Sequence, residues 1–413
     1  MTPNRSMELT IQMQQLMRTD LLQSISSQFP FGLLEAHLLK SEKVTRDRIY
    51  NEENTILTML TAAFQEDKAL QNSVLIFSEV FQNRSAQLQS QEAIELQEQQ
   101  AHDKTKQTKI GRPKKYKPKL AKSKCKEISL NTAAYSKARK RLDMGLLEEV
   151  FNYSSKSEPK ILWHNMETYL ADGTYFQMQD TSQLRDKYFV KENDGAYPQG
   201  LLEVFVRQGG GQVAFFKIGT RHQSELELCA ELIKGLNPGS LLIADDLYSC
   251  YAIFALAMQR GIHLIVPGKR KRGYTVEKEI APGDQIVKLT KKETPKWWKE
   301  PFKIPKNITM RRISYNSPID AQQECVLYTT ILEDSIPKTD FITKYITRWD
   351  IEISIREIKT LMGINIARGK TEEMVFKEVL VGLTAYNMAR NIIAKSVENT
   401  EIPPPREYLS KIL

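Results

Sequence analysis

Cysteine and histidine are scarce in this 413-residue chain: four of the first, Cys125, Cys229, Cys250 and Cys325, and five of the second. The cysteines are scattered, with no CxxC pair, which excludes a zinc knuckle and a disulfide framework and leaves each as an inert thiol. Any metal would have to be held by oxygen ligands. No run approaches the roughly 18 consecutive apolar residues of a membrane span. The N-terminus has no charged-then-apolar leader. The expectation is a reducing, cytoplasmic setting and no membrane partner.

A hydrophobic fraction of 41% is enough for a real core, so wholesale disorder is excluded. The length calls for more than one domain, or for one domain with insertions. Lys and Arg number 59 against 50 acids, a formal charge of +9. That balance points to a polyanionic partner.

Residues 1–103 read as a helical N-terminal DNA-binding domain, with apolar residues at helical spacing over Glu53–Phe64 and Leu70–Phe81. A basic linker, 104–128, follows. Lys104–Lys126 holds eleven Lys/Arg and no acid, as an extended, solvated segment would. Within it stands Gly111-Arg112-Pro113-Lys114-Lys115. Arg112 in such a compact core suits the negative potential of a narrow minor groove, and Lys114 and Lys115 suit phosphates. A helix over Thr132–Phe151 opens the next part, 129–268. Thr168–Asp172 and Tyr175–Gln179 read as a strand pair or one long strand. Leu201–Arg207 and Val213–Ile218 form a hairpin around three glycines. Ser224 to Glu227 is a capping box opening a helix through Leu236. Ser240–Ala244, a helix over Ser249–Gln259 and His263–Val266 complete an alternation that predicts an α/β fold. Its mixed sheet has parallel later strands and ligands at their carboxyl ends. A β-rich insertion at 269–335 includes strands Ile308–Arg312 and Glu324–Ile331. The core resumes over 336–396, and 397–413 is a tail.

One helix is predicted across Tyr345–Lys359. At about 100° per residue, Tyr345, Arg348, Glu352, Arg356 and Lys359 share one face within roughly 80°. Ile351, Ile355 and Ile358 flank the stripe on one side, Ile346, Trp349 and Ile353 on the other. A carboxylate among cations between apolar edges suits the wall of a site for phosphates and a metal.

Asp172 and Asp245 stand where such a sheet places its ligands, each at a predicted strand end. Neighbouring strands would bring them within a few ångströms, where two carboxylates repel unless a cation lies between them. Oxygen ligation favours Mg²⁺, with Mn²⁺ as a substitute. Glu352 would complete the set for a pair of metals acting on a phosphodiester. Simpler readings exist for each acid alone. Asp172 would bond the turn before Gly173, Asp245 would cap the following helix, and Glu352 would pair with Arg348 or Arg356 four residues away. Asp246 competes with Asp245 for either role.

The Tyr345, Arg348, Glu352, Lys359 spacing resembles the Tyr-Arg-Glu-Lys motif of bacterial DDE transposases of the insertion-sequence-four class. Asp172-Gly173-Thr174 resembles that family's first-aspartate segment and Leu241–Tyr248 its second. There Asp246 replaces the family's usual Arg, so that Arg's phosphate contact has no counterpart. The resemblance covers Thr132–Lys395. It implies an RNase H-like core interrupted by a β-strand insertion between Asp245 and Glu352. It also implies Asp172, Asp245 and Glu352 as catalytic metal ligands, with Tyr345, Arg348 and Lys359 on DNA phosphates. The implied activity is binding of an element's inverted repeats in double-stranded DNA, hydrolysis at the element's ends, and joining of the 3′-OH to target DNA by transesterification. A homodimer in a synaptic complex and a bacterial, nucleoid-associated location go with it. Trp297 and Trp298 are candidates to stack a flipped base, against a structural role for both. Alternatives are an RNase H-like nuclease or resolvase that cuts without joining, and a catalytically inactive, element-derived DNA-binding protein.

Overall fold

The computed structural model describes residues 27–40, 48–65, 68–79, 130–156, 162–188, 197–220, 222–268, 272–316 and 324–397. Arg112, Lys114, Lys115 and the rest of the basic segment lie outside the described residues. The chain divides into two compact units. One comprises Met1–Ser27 with Leu34–Leu142, the other Gln28–Leu33 with Asp143–Leu413.

The larger unit is built on one mixed sheet. Its strands are β1 (Leu162–Trp163), β2 (Met166–Gln177), β3 (Gln199–Arg207), β4 (Val213–Gly219), β5 (Leu241–Ile243), β6 (His263–Pro267), β7 (Thr275–Ala281), β8 (Asp284–Thr290), β9 (Asn307–Asn316) and β10 (Glu324–Thr329). The order across the sheet is β4-β3-β2-β5-β6-β10-β9-β8-β7, with β1 on β2. β2, β3 and β4 pair antiparallel, whereas β5 and β6 run parallel to β2. Three antiparallel strands, β2 to β4, followed by two parallel ones, with β2 between the two sets, is the RNase H-like arrangement.

Helices α1 (Met144–Ser154), α2 (Ser182–Tyr188), α3 (Glu225–Ile233), α4 (Tyr251–Gln259), α5 (Lys338–Ile346), α6 (Trp349–Thr360) and α7 (Glu372–Val397) accompany it. β5 is buried at every residue, as a strand covered on both faces must be. The period of two in β2 divides the layers. Tyr169 and Ala171 face a core with Cys229, Ile233, Ile253 and Phe254 of α3 and α4. The intervening residues Leu170, Asp172 and Thr174 turn to the other face, where α6 contacts β2.

Several expectations change in detail. Of the two readings of Thr168–Gln179, the single long strand holds, as Met166–Gln177, and Asp172 lies within it and not at its end. The helix over Thr132–Phe151 is two helices, because Asp143 caps a new start, its Oδ1 accepting from Leu146 N at 3.2 Å. Thr132–Arg141 belongs to the smaller unit, where Tyr135 packs on Tyr50 with ring centroids 5.4 Å apart, close to helix Glu52–Ala63. The β-rich insertion extends the core sheet itself: β10 pairs with β6 and carries the sheet on to β7. The hairpin of β7 and β8, turning at Gly283 with φ of 74°, escaped the sequence reading.

The Tyr345–Lys359 helix is also two helices, α5 and α6. Thr347 Oγ1 donates to Lys344 O at 2.6 Å, and Arg348 and Ile351 N–H reach back three residues instead of four. A threonine hydroxyl that bonds the preceding turn competes with the helical ladder. Gln208, just beyond β3, holds the break from outside. Its amide donates to Thr347 Oγ1 and its carbonyl accepts from Lys344 Nζ.

Candidate active site

The parallel register of β2 and β5 aligns Leu170 with Ile243. Two residues further on, Asp172 and Asp245 reach the same level on the same side. Asp172 Oδ1 accepts from its neighbour Gly173 N at 2.8 Å. Asp245 Oδ1 accepts from Leu247 N at 2.8 Å, fixing the turn that leaves β5. Asp246 is exposed and points its role toward the turn, its carbonyl accepting from Ser249 N.

The electrostatics bring the third acid to the same place. Burial raises the Asp172 carboxyl to about 6, opposed by the Gly173 N–H and by Arg348, and assisted by the negative charges of Asp245 and Glu352. Asp172 therefore lies in the field of both other acids. Arg348 Nη2 donates to Glu352 Oε1 at 2.9 Å, with the side chains 15% and 43% exposed. An i,i+4 pair so open to water is worth about 0.3–0.5 kcal/mol, too little to hold Glu352 against a competing cation.

Despite the helix break, the motif residues still gather here. Burial raises the Tyr345 hydroxyl strongly, and Arg348 and Asp245 both act on it. Lys359 Nζ donates to Thr174 Oγ1 at 3.1 Å, on the same face of β2 as Asp172. Arg356 is exposed and its charge acts on Glu357. Trp297 and Trp298 lie elsewhere in the fold. They pack against Ala252, Ala255 and Ile304, and Trp298 meets Phe302 edge-on at 5.1 Å.

Three carboxylates with one intervening guanidinium form a donor set suited to a divalent cation. Among the described residues no three such groups are already closed into a metal cage. Glu352 is turned toward Arg348, and closing the set requires that carboxylate to leave its partner.

Sequence reasoning missed four residues around the site. Lys344 is buried, its amine pushed down to about 8 by that burial. Gln208 is its acceptor. Glu203 and Tyr248 lie behind Asp172, bonded to each other at 2.8 Å. A signal existed for Glu203 alone: it is the single acid inside the apolar run Leu201–Val206.

Topology and acids together define a protein of the RNase H-like class. Residues 163–388 match the family model described as Transposase DDE domain, and the chain belongs to the DDE transposase family. It is similar to the transposase InsG for insertion sequence element IS4 of Escherichia coli strain K12, 27% identical over 286 residues, covering 65% of this chain. The match spans 62% of that relative's length. Among solved structures, a piggyBac transposase synaptic complex with hairpin DNA aligns over 60% of this chain and 51% of its own, with 8% identity and a TM-score of 0.37. No helix among the described residues is long and apolar enough to cross a membrane.

Proposed function

We propose that this chain is the transposase of a bacterial insertion sequence, a Mg²⁺-dependent enzyme that cuts DNA at the element's ends and joins the exposed 3′-OH to target DNA. The observation that carries the reading is the convergence of Asp172, Asp245 and Glu352 with Tyr345, Arg348 and Lys359 on one face of the central strand. Family membership supports it.

Asp172, Asp245 and Glu352 would hold Mg²⁺, or Mn²⁺ in its place. When bound, such ions activate the attacking oxygen and steady the leaving oxygen of an in-line displacement. Glu352 is free to turn inward because its bond to Arg348 is weak. Arg348, released from Glu352, is then a fork for a phosphate. Lys359, steadied by Thr174, holds a point charge beside the Asp172 strand. Tyr345 contributes a hydroxyl donor to the DNA backbone; its raised proton affinity keeps it neutral and unsuited to attack. No covalent protein–DNA step is needed. Outside the described residues, Arg112, Lys114 and Lys115 would bind double-stranded DNA near the ends. Pairing of two ends makes a homodimer on DNA the expected assembly, in the cytoplasm.

The test is to incubate the purified chain with Mg²⁺ and duplexes bearing the inverted repeats that flank its gene. Nicks at the repeat boundary that leave a 3′-OH, followed by strand transfer, are expected. Cutting without any joining would favour the nuclease reading, and tight end binding without cutting would favour an inactive DNA-binding protein.

A further inference from the structure

The face of β2 opposite the triad carries a second group of acids. Glu203 stands across from Gly173 in the β2–β3 pairing and is completely buried. Both of its carboxylate oxygens accept from the Tyr248 hydroxyl, at 2.8 and 3.0 Å. Glu225, in the first turn of α3, brings its carboxyl to the same place. A Cβ on Gly173 would lie 2.7 Å from the Glu225 carboxyl carbon and 2.9 Å from Glu203 Oε2. Gly173 is therefore the residue that leaves room for both.

Packing alone does not explain Glu203. A buried carboxyl is costly without a cation, and the charged groups acting on it, Glu225, Asp172 and Asp245, are all acids. An apolar side chain would fill the space at lower cost. Burial raises the proton affinity of Glu203 well above the usual carboxylate range, and the Tyr248 hydroxyl is the donor that meets both of its oxygens. Tyr248, also buried, lies three residues beyond Asp245 in the turn from β5 to α4. Within that turn Leu247 N bonds Asp245 Oδ1, and Cys250 N bonds Tyr248 O at 2.6 Å. The Tyr248 hydroxyl is the tie from this turn to the strand that pairs with Asp172.

We propose that Tyr248 and Glu203 are positioning residues: their hydrogen bond fastens the Asp245 turn to β3 opposite Gly173 and so fixes the Asp245 carboxylate against Asp172. The proposal rests on the reading of those two aspartates as metal-holding acids. A linked path results. It runs from Asp172 through Gly173 to Glu203 across the ladder, then by the tyrosine back to Asp245. Groups that orient metal-holding side chains typically govern affinity by about 10–100-fold.

The test is Mn²⁺ binding by the full chain, followed through loss of the free-ion paramagnetic resonance signal, with thermal melting in parallel. Tyr248→Phe should weaken Mn²⁺ binding by about tenfold or more. Glu203→Gln keeps an acceptor for the hydroxyl and should bind within a few-fold of the native chain. The double variant Tyr248→Phe with Glu203→Leu removes the hydroxyl together with the buried carboxyl it would leave unpaired, so its melting temperature should recover relative to Tyr248→Phe alone, while its Mn²⁺ binding stays weak. Native Mn²⁺ affinity in Tyr248→Phe or in the double variant would overturn the proposal. So would binding by Glu203→Gln as weak as that of Glu203→Leu. Asp172→Ala is the reference: if it binds Mn²⁺ like the native chain, the assignment of the acids is wrong whatever Tyr248 does.

Discussion

Asp172→Asn should make the metal-free protein more stable near neutral pH, an unusual outcome for a substitution at the centre of a site. The carboxyl is raised from an ordinary 3.8 to about 6, chiefly by burial and then by Asp245 and Glu352. Between those values the folded chain holds a proton that the unfolded chain has released. Stability therefore falls as pH rises from about 4 to about 6 and stays reduced above. At about 1.4 kcal/mol per tenfold change in proton affinity, the penalty above pH 6 has an upper bound of about 3 kcal/mol, shrinking to about 1 kcal/mol near pH 4.5. Asparagine keeps an oxygen for the Gly173 N–H and removes the charge. Melting of both proteins in chelator at pH 7.5 and 4.5 checks this. The variant should melt several degrees higher at pH 7.5 and gain less at pH 4.5, and added Mg²⁺ should stabilise only the native chain. Equal melting at pH 7.5, or a gain independent of pH, would refute the claim that Asp172 is buried among like charges.

Other substitutions separate the parts of the account. Replacing Lys114 and Lys115 by Ala should weaken DNA binding and flatten its dependence on salt; unchanged binding in a salt titration would reduce the basic run to a linker. Gln208→Leu leaves buried Lys344 without its acceptor and frees the helix break at Thr347. It should cost about 1–3 kcal/mol in denaturant unfolding and lower nicking more than end binding; unaltered nicking would mean the break does not matter to the site. Ala at Trp297 and Trp298 removes rings packed against Ala252, Ala255 and Ile304. Nicking and hairpin formation should then fall together, and a loss confined to hairpins would instead support stacking on a flipped base.

The sheet was legible because β3, β5 and β6 are short apolar runs bounded by turn residues, and their alternation with capped helices dictates parallel pairing. Asp245 stood out as the polar end of such a run. Asp172 was found for a reason that only partly holds, since its strand continues five residues past it to Gln177. What places it is the parallel register with β5, which no local pattern encodes. The break at Thr347 was hidden because the stripe and its apolar edges continue through it. The competing force is a threonine hydroxyl held by Gln208, more than a hundred residues away in sequence. β7 was missed because its residues are almost all exposed, which leaves no alternation to read. Tyr248 and Glu203 lie 45 residues apart in sequence, and only the fold brings them within hydrogen-bonding distance.

The central claim is that three acids from three elements act as one catalytic set. Nicking of inverted-repeat DNA in Mg²⁺ by the Ala variants of Asp172, Asp245 and Glu352, with end binding measured on the same preparations, tests it most directly. The account predicts that each variant binds the ends as the native chain does and that none cuts them. Native-level cutting by any one of the three would contradict it.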